Sequence, residues 1–347
     1  MGNYRQMTLL LKALLPLLVT QNFILNCNSL LHQQFKTLSH SKLRELYSKH
    51  YDSYVKFATE YKKGVKDDRP EPHRLLAFAK NMEEIKRHNE LYKQGKSSFM
   101  LGLTIMSDMT PEDLIDEFPA IKFNGTGDPV PENLTAQPVK DINWVTRGFV
   151  TPVENFKDNR VCRMPATTAD TVSDVMAALS KLQTKKLRKL SAQELIDCSG
   201  SGCGSVGDFE KHGAYVMEKE GLVSAESYPY KMGQNPCQVK GMRFGKPIIP
   251  LRLVYTTPKL FKALLSKGPV AARILVTTKF AEYKGGLFRD IAKENAFSHT
   301  VLAVGYTDTY ILIKNSWGTN WGENGYMRIS INPKENCNLY LEAFAVM

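Results

Sequence analysis

The chain of 347 residues lacks several features that would each define a class of protein. It has no apolar run of the roughly 18 to 20 residues that a membrane-spanning helix needs, so we expect no membrane span. The 23 glycines and 17 prolines follow no period, which argues against a collagen-like or low-complexity chain. What remains is an ordinary globular composition, 43% apolar and 23% charged, with a length that suggests two domains.

Motifs for metal ions and bound phosphate are absent from residues 138–347. This part has no Cys-x-x-Cys pair and no His-x-x-x-His spacing, so we expect no zinc or other metal site. It also has no Gly-rich phosphate loop and no Gly-x-Ser-x-Gly elbow, and we expect no cofactor. Most of the net charge of +11 lies in this part, which favours attraction to polyanions.

Residues 1–29 have the pattern of a secretory signal peptide. The cation of Arg5 precedes the apolar stretch Ala13–Val19, and the small residues of Cys27–Ser29 offer a cleavage site. Lys12 interrupts the apolar region, so a buried amphipathic helix is the alternative interpretation. The pattern favours entry into the secretory pathway.

Residues 119–137 are rich in glycine and proline and predict an exposed linker. This linker carries two glycosylation sequons, at Asn124 and Asn133. Together with the leader, the sequons favour an extracellular or lysosomal destination, where disulfides can form.

Apolar spacing divides the chain into a helical first part and a mixed second part. Within residues 36–118, the apolar residues from Leu75 to Ile85 recur at spacings of three and four, which predicts helix. After residue 138, a helical stripe over Val172–Leu182 is followed by strand-like patterns such as Thr300–Val304. The second part is therefore predicted to be an α+β domain.

Specific motifs occur throughout the second part. They are GFVTPVEN at Gly148–Asn155, LSAQELIDC at Leu190–Cys198, ESYPY at Glu226–Tyr230 and NSWGTNWGENGY at Asn315–Tyr326. These segments resemble the papain family of cysteine peptidases, most closely its cathepsin L-like branch. The resemblance implies a two-lobed body over residues 138–347, with a helical left lobe and a β-barrel-like right lobe.

The first part resembles the inhibitory propeptide of the same family. The matching helical signature consists of Arg74, Phe78, Asn81, Ile85 and Asn89. The resemblance implies that residues 36–118 form a helical propeptide, which would act as an intramolecular inhibitor of the body.

The resemblance assigns a catalytic triad to Cys162, His299 and Asn315. In such a site a thiolate attacks the peptide carbonyl, an imidazolium holds the thiolate and protonates the leaving amine, and the amide orients the imidazole. The alternatives are a buried or disulfide-bonded thiol for Cys162 and a structural core histidine for His299.

The resemblance also places Phe297, Val206 and Glu342 around the substrate. Val206 stands where the family has a glycine, and its side chain would obstruct the substrate backbone. Glu342 resembles the floor of the main specificity pocket, where it would pair with an Arg at the second residue before the scissile bond. The alternative is that Glu342 turns outward to solvent.

The surroundings of Cys162 depart from the family pattern. Phe156 stands where the family has the Gln that donates to the oxyanion, and losing one such donor costs on the order of 10²–10³ in rate. Pro165 lies where the family's helix is already under way, and a capping box at Thr167 and Asp170 predicts that the helix begins after the cysteine.

The cysteines do not all find family partners. The resemblance pairs Cys198 with Cys237, whereas Cys203 and Cys337 are left over. A small shift at the disturbed helix start would bring Cys162 to Cys203, since a disulfide needs Cα atoms only about 4.4–6.8 Å apart. We hypothesise such a bond, which would consume the nucleophile.

Two functions follow from these expectations. The first is a papain-like endopeptidase made as a secretory zymogen, with weak or lost activity toward peptide or protein substrates. The second is a catalytically inactive homologue that uses its cleft to bind peptides, cystatin-like inhibitors or another partner. The basic run Lys185–Lys189 would bind polyanions or simply be a solvated helix end, and nucleic acid is not an expected partner.

Overall fold

The computed structural model describes residues 40–61, 63, 72–110, 113–114, 127–131, 134, 140–156, 162–203, 205, 207–292 and 297–346. The predicted signal peptide, both sequon asparagines and Val206 lie outside these residues. None of the helices in the described ranges is both long and apolar enough to cross a membrane. The chain divides into two compact units, one from Met1–Met82 with Asp108–Glu112 and one from Glu83–Ser107 with Asp113–Met347.

The described ranges contain seven helices. They are α1 (His40–Glu60), α2 (Pro72–Lys93), α3 (Arg163–Thr184), α4 (Ala192–Cys198), α5 (Phe209–Glu218), α6 (Pro258–Leu265) and α7 (Thr278–Ala281). Several begin at a residue whose side chain accepts from a backbone N–H of the first turn, as Asp208 does for α5.

The first unit is held together by aromatic rings from α1 and α2. The ring of Phe78 lies 4.9 Å from that of Phe57 and 5.3 Å from that of Tyr54, and all three are buried. Asp108 accepts a hydrogen bond from the Tyr54 hydroxyl at 3.1 Å and pairs with Lys63. The helical apolar stripe predicted around Phe78 is therefore confirmed.

Eleven strands lie in the described ranges. They are β1 (Phe99–Leu101), β2 (Ile142–Asn143), β3 (Leu222–Val223), β4 (Arg243–Phe244), β5 (Pro250–Val254), β6 (Val270–Val276), β7 (Tyr283–Phe288), β8 (Phe297–Tyr306), β9 (Tyr310–Lys314), β10 (Tyr326–Ser330) and β11 (Glu342–Val346). Nine form one sheet in the order β1-β7-β10-β9-β8-β6-β11-β5, with β2 beside β8, and β3 pairs with β4. Through the described strands this path stays open and does not close into a barrel.

Strand β1 follows the propeptide-like helix α2 and joins the large sheet beside β7. Asn89 of α2 holds β1 in place, because its amide donates to the carbonyl of Leu101 and accepts from the Leu101 N–H, both at 2.9 Å. Gly286 of β7 lies opposite Phe99, and a Cβ there would lie 2.5 Å from the Ser98 carbonyl oxygen. Only glycine allows this close approach.

The long helix α3 lies at the centre of the second unit and is buried along most of its length. It begins at Arg163, so the prediction that the helix begins after the cysteine is confirmed, whereas its start at a capping box of Thr167 and Asp170 is wrong. Thr167 instead donates to the carbonyl of Arg163 at 2.9 Å. Pro165 is only the third helical residue, where no intrahelical N–H bond is required, so it does not delay the helix.

Candidate active site

Cys162 lies at the N-terminus of α3 and is fully buried. Its carbonyl accepts the first helical hydrogen bond, from the Ala166 N–H at 2.9 Å. Its Sγ atom is bonded to that of Cys203, and the two Cα atoms are 4.5 Å apart. The structure therefore has the disulfide hypothesised from the sequence. A sulfur in a disulfide cannot act as the thiolate nucleophile.

The other cysteines of residues 138–347 differ in their bonding state. Cys198 at the end of α4 is bonded to Cys237, with Cα atoms 5.1 Å apart, as the family resemblance implies. Cys337 is buried and makes no disulfide. Burial raises the pKa of its thiol far above the usual range, which makes this thiol unreactive.

The orienting part of the predicted triad is assembled on the sheet. His299 lies in β8 and its Nε2 is 2.8 Å from Oδ1 of Asn315, which follows β9. The Ser316 N–H also donates to that Oδ1 at 2.8 Å, which identifies it as the oxygen and Nε2 as a donor. The Trp317 ring packs against the imidazole, with the ring centres 4.7 Å apart.

The imidazole of His299 is neutral in this environment. Burial, with a smaller effect of the positive charges of Arg273 and Arg163, lowers its pKa to about 4 against the opposing effect of the Asn315 hydrogen bond. Arg163 follows Cys162 directly and is itself buried, which lowers its own pKa to about 10. The site thus holds a neutral imidazole and an oxidised cysteine, so it has neither partner of a thiolate–imidazolium pair.

The position expected to donate to an oxyanion is occupied by a packed aromatic ring. Phe156 is 5% exposed, and its ring meets that of Tyr230 edge-on at 5.0 Å. Its backbone N–H is already used by the Ser316 carbonyl at 3.1 Å. Neither its side chain nor its N–H is therefore available to a developing negative charge.

Glu342 begins β11, and its carboxylate lies inside the protein. Its Oε1 accepts from Nε of Arg252 at 2.7 Å, and its Oε2 accepts from Nε of Arg273 at 3.1 Å. From the sequence we expected this carboxylate either to be open to a substrate Arg or to turn outward to solvent. The structure has neither, because two arginines of the chain itself neutralise it.

Two further residues, Phe297 and Val206, were predicted to line the pocket. Phe297 is the first residue of β8. Beside the undescribed Val206, Gly207 has a positive φ of 79°, and a Cβ there would lie 2.4 Å from the Thr168 side chain. The wall therefore contacts α3 directly at Gly207.

Sequence reasoning missed Arg273. The signal was an arginine at the centre of β6, whose other residues are all apolar (VAARILV). A charge inside a buried strand requires a partner, and the partner here is Glu342.

We searched the part of the chain that the structure describes for side chains that could bind a metal ion together. Among those residues, no group of three or more His, Cys, Asp or Glu side chains lies close enough to hold an ion.

Fold, propeptide-like helices and site together define the class of papain-like cysteine proteases. A sequence model of the papain family cysteine protease matches residues 139–347, and one of the cathepsin propeptide inhibitor domain matches residues 54–114. The chain therefore belongs to the papain family, and the α+β papain-like fold predicted from the sequence is confirmed.

Individual relatives include cathepsins and a solved procathepsin. The chain is 30% identical to mouse cathepsin S over 84% of its own length and 87% of the relative's. It is 32% identical to human cathepsin L2 over 77% of its own length and 83% of the relative's. The structure of digestive procathepsin L2 from Tenebrio molitor larval midgut superposes with a TM-score of 0.73 at 26% identity, covering 86% of this chain and 99% of that chain.

Proposed function

We propose that the oxidised chain is a papain-family protein that binds a peptide segment in its cleft without cleaving it. The observation that carries this proposal is the Cys162–Cys203 disulfide, which leaves no thiolate at the nucleophile position. The packed ring of Phe156 and the neutral imidazole of His299 support it, because each removes a further element of acyl transfer. We expect no hydrolysis of peptide substrates by this form.

The second candidate is a latent endopeptidase that reduction releases. It is favoured by the intact contact between His299 and Asn315 beside the Trp317 ring. Thiol–disulfide exchange with an external dithiol would give free thiols at Cys162 and Cys203 and an oxidised dithiol. The thiolate of Cys162 would then raise the pKa of His299 through its negative charge.

An epoxide probe of papain-like enzymes separates the two candidates. The oxidised wild type should not be labelled at Cys162, whereas labelling there would overturn the proposal. Cys203→Ala frees Cys162 without a reductant, and Cys337→Ala is the matched control that leaves the disulfide in place. Labelling of Cys203→Ala that disappears in the Cys203→Ala/His299→Ala variant would establish the latent endopeptidase instead.

We also propose that the protein enters the secretory pathway with its propeptide as an intramolecular inhibitor. Two disulfides support an oxidising compartment, and the matching propeptide inhibitor domain supports the inhibition. Enzymatic removal of N-linked glycans from the secreted protein should reduce its mass. The shift should disappear when Asn124 and Asn133 are both replaced by Gln.

A further inference from the structure

Arg273 lies at the centre of a row of paired residues that crosses three strands. It is opposite Glu342 of β11 on one side and opposite Thr300 of β8 on the other. The residue is only 2% exposed. The row therefore continues from the strand that carries the catalytic-position histidine to the glutamate expected at the floor of the specificity pocket.

The guanidinium of Arg273 is held on several sides. One terminal nitrogen donates to the Thr300 hydroxyl at 3.0 Å, the other donates to the Gly207 carbonyl at 2.9 Å, and Nε donates to Glu342 at 3.1 Å. Its charge lies 4.8 Å from the centre of the Phe209 ring. This set of hydrogen bonds and a cation–π contact fixes one position for the side chain.

Among the groups around this guanidinium, Glu342 is an expected pocket residue, and Gly207 and Thr300 are next to expected site residues in sequence. Thr300 follows His299, Gly207 ends the wall loop, and Glu342 is the expected pocket floor. Thr168, within 3.4 Å of the guanidinium, lies in the helix that begins after Cys162. We infer that Arg273 fills the main specificity pocket from within, in the place of a substrate side chain, with Glu342 as its partner.

The inference rests on the proposed peptide-binding function and names its ligand class. A peptide with Leu or Arg at the pocket position would have to displace a guanidinium that is tethered beside Glu342 and would leave buried polar groups unpaired. A peptide with Gly at that position needs no pocket. The cleft therefore selects segments with glycine, or no larger than alanine, two residues before the bond that an active relative would cut.

Occupancy of the pocket is tested without any peptide, by chemical replacement of the missing side chain. Arg273→Ala should leave a cavity facing Glu342 that binds methylguanidinium. Millimolar methylguanidinium should then raise the thermal midpoint of this variant by at least about 2 °C. Methylguanidinium should not raise the thermal midpoint of the wild type or of Arg273→Ala/Glu342→Ala. Equal shifts of the midpoint in all three proteins would overturn the inference.

Ligand preference is tested with fluorescent peptide amides that differ only in Gly, Leu or Arg at the pocket position. The oxidised full-length wild type should bind the Gly peptide at least about tenfold more tightly than the others. Arg273→Ala should bind the Arg peptide at least about tenfold more tightly than the wild type does, because the peptide's guanidinium can pair with Glu342. Arg243→Ala is the matched control, because it removes another arginine from a buried glutamate, Glu194, outside the pocket.

Each outcome decides one claim. Equal affinity of the wild type for all three peptides would overturn the inference, whereas binding of none would count against the proposed function and leave the methylguanidinium result to decide the pocket. Where Arg273→Ala does not fold, Arg273→Ala/Glu342→Ala removes both members of the Arg273–Glu342 pair and should prefer the Leu peptide. A preference for Gly in that double variant would also overturn the inference.

Discussion

His299 Nε2 and Asn315 Oδ1 lie 2.8 Å apart in a site whose cysteine is oxidised. The two parts of the site depend on different elements. His299 lies in β8 and Asn315 directly follows β9, whereas Cys162 lies at the start of helix α3. The structure therefore has the predicted contact between the histidine and the asparagine, but no free thiol at the predicted nucleophile position.

The neutral state of His299 predicts a loss of stability in acid. Its pKa is about 4 in the folded protein against 6.5 for an ordinary histidine, so the unfolded chain takes up the proton first. This residue should therefore reduce the free energy of unfolding by about 3 kcal/mol as the pH falls from 6.5 to 4, with no further loss below 4. Urea unfolding of wild type and His299→Gln across this range measures the difference. Parallel curves for the two proteins would contradict the prediction.

Restoring the oxyanion donor alone should restore little. Phe156→Gln should show no peptide hydrolysis in the oxidised protein, because Cys162 remains bonded to Cys203. In the Cys203→Ala background it should raise kcat/KM less than about tenfold, below the 10²–10³ of an isolated donor. The reason is that the specificity pocket still holds Arg273. Kinetics with a fluorogenic peptide check this, and a hundredfold gain would show Phe156 to be the main lesion.

The disulfide at the site should stabilise the folded protein as well as block catalysis. Cys162 and Cys203 are separated by 41 positions, and closing a loop of that length in the unfolded chain is worth about 4 kcal/mol. Cys203→Ala should therefore lower the free energy of unfolding by about 2 to 4 kcal/mol in urea. Adding Cys162→Ala should cost little more, since the bond is already lost. Equal stability of wild type and Cys203→Ala would argue that the bond does not form.

A buried ion pair positions the segment before the site. Lys314 Nζ lies 2.6 Å from Asp174 Oδ2, both side chains are 2% exposed, and the ammonium also binds the carbonyls of Thr151 and Pro152. Asp174→Ala leaves this ammonium buried without its partner and should cost about 3 to 5 kcal/mol. Asp174→Leu/Lys314→Met, which removes both charges, should cost less. Chemical denaturation of both variants tests this order, and the reverse order would contradict it.

The sequence predicted the features that depend on local pattern. The apolar stripe of α3 and the strand pattern of Thr300–Val304 are where the spacing placed them. The capping box at Thr167 was predicted wrongly, because the Thr167 hydroxyl donates to the carbonyl of Arg163 inside the helix. The Cys162–Cys203 bond joins residues 41 positions apart, so no local pattern reports it.

The pairing of Glu342 with Arg273 could not be predicted from the sequence for a similar reason. Arg273 precedes it by 69 positions, and only the register between β6 and β11 places the two side by side. A strand pattern gives the face on which a side chain lies but not its cross-strand neighbour. The sequence could therefore place a carboxylate at the pocket floor without revealing what neutralises it.

The pairing state of Cys162 is the most direct test of whether the predicted nucleophile is blocked. The native protein is alkylated without reductant, digested and mapped by mass spectrometry. We predict a peptide pair linked through Cys162 and Cys203, a second pair linked through Cys198 and Cys237, and alkylation of Cys337 only after unfolding. Alkylated Cys162 in the native protein would contradict this prediction, because it would show a free thiol at the predicted nucleophile position.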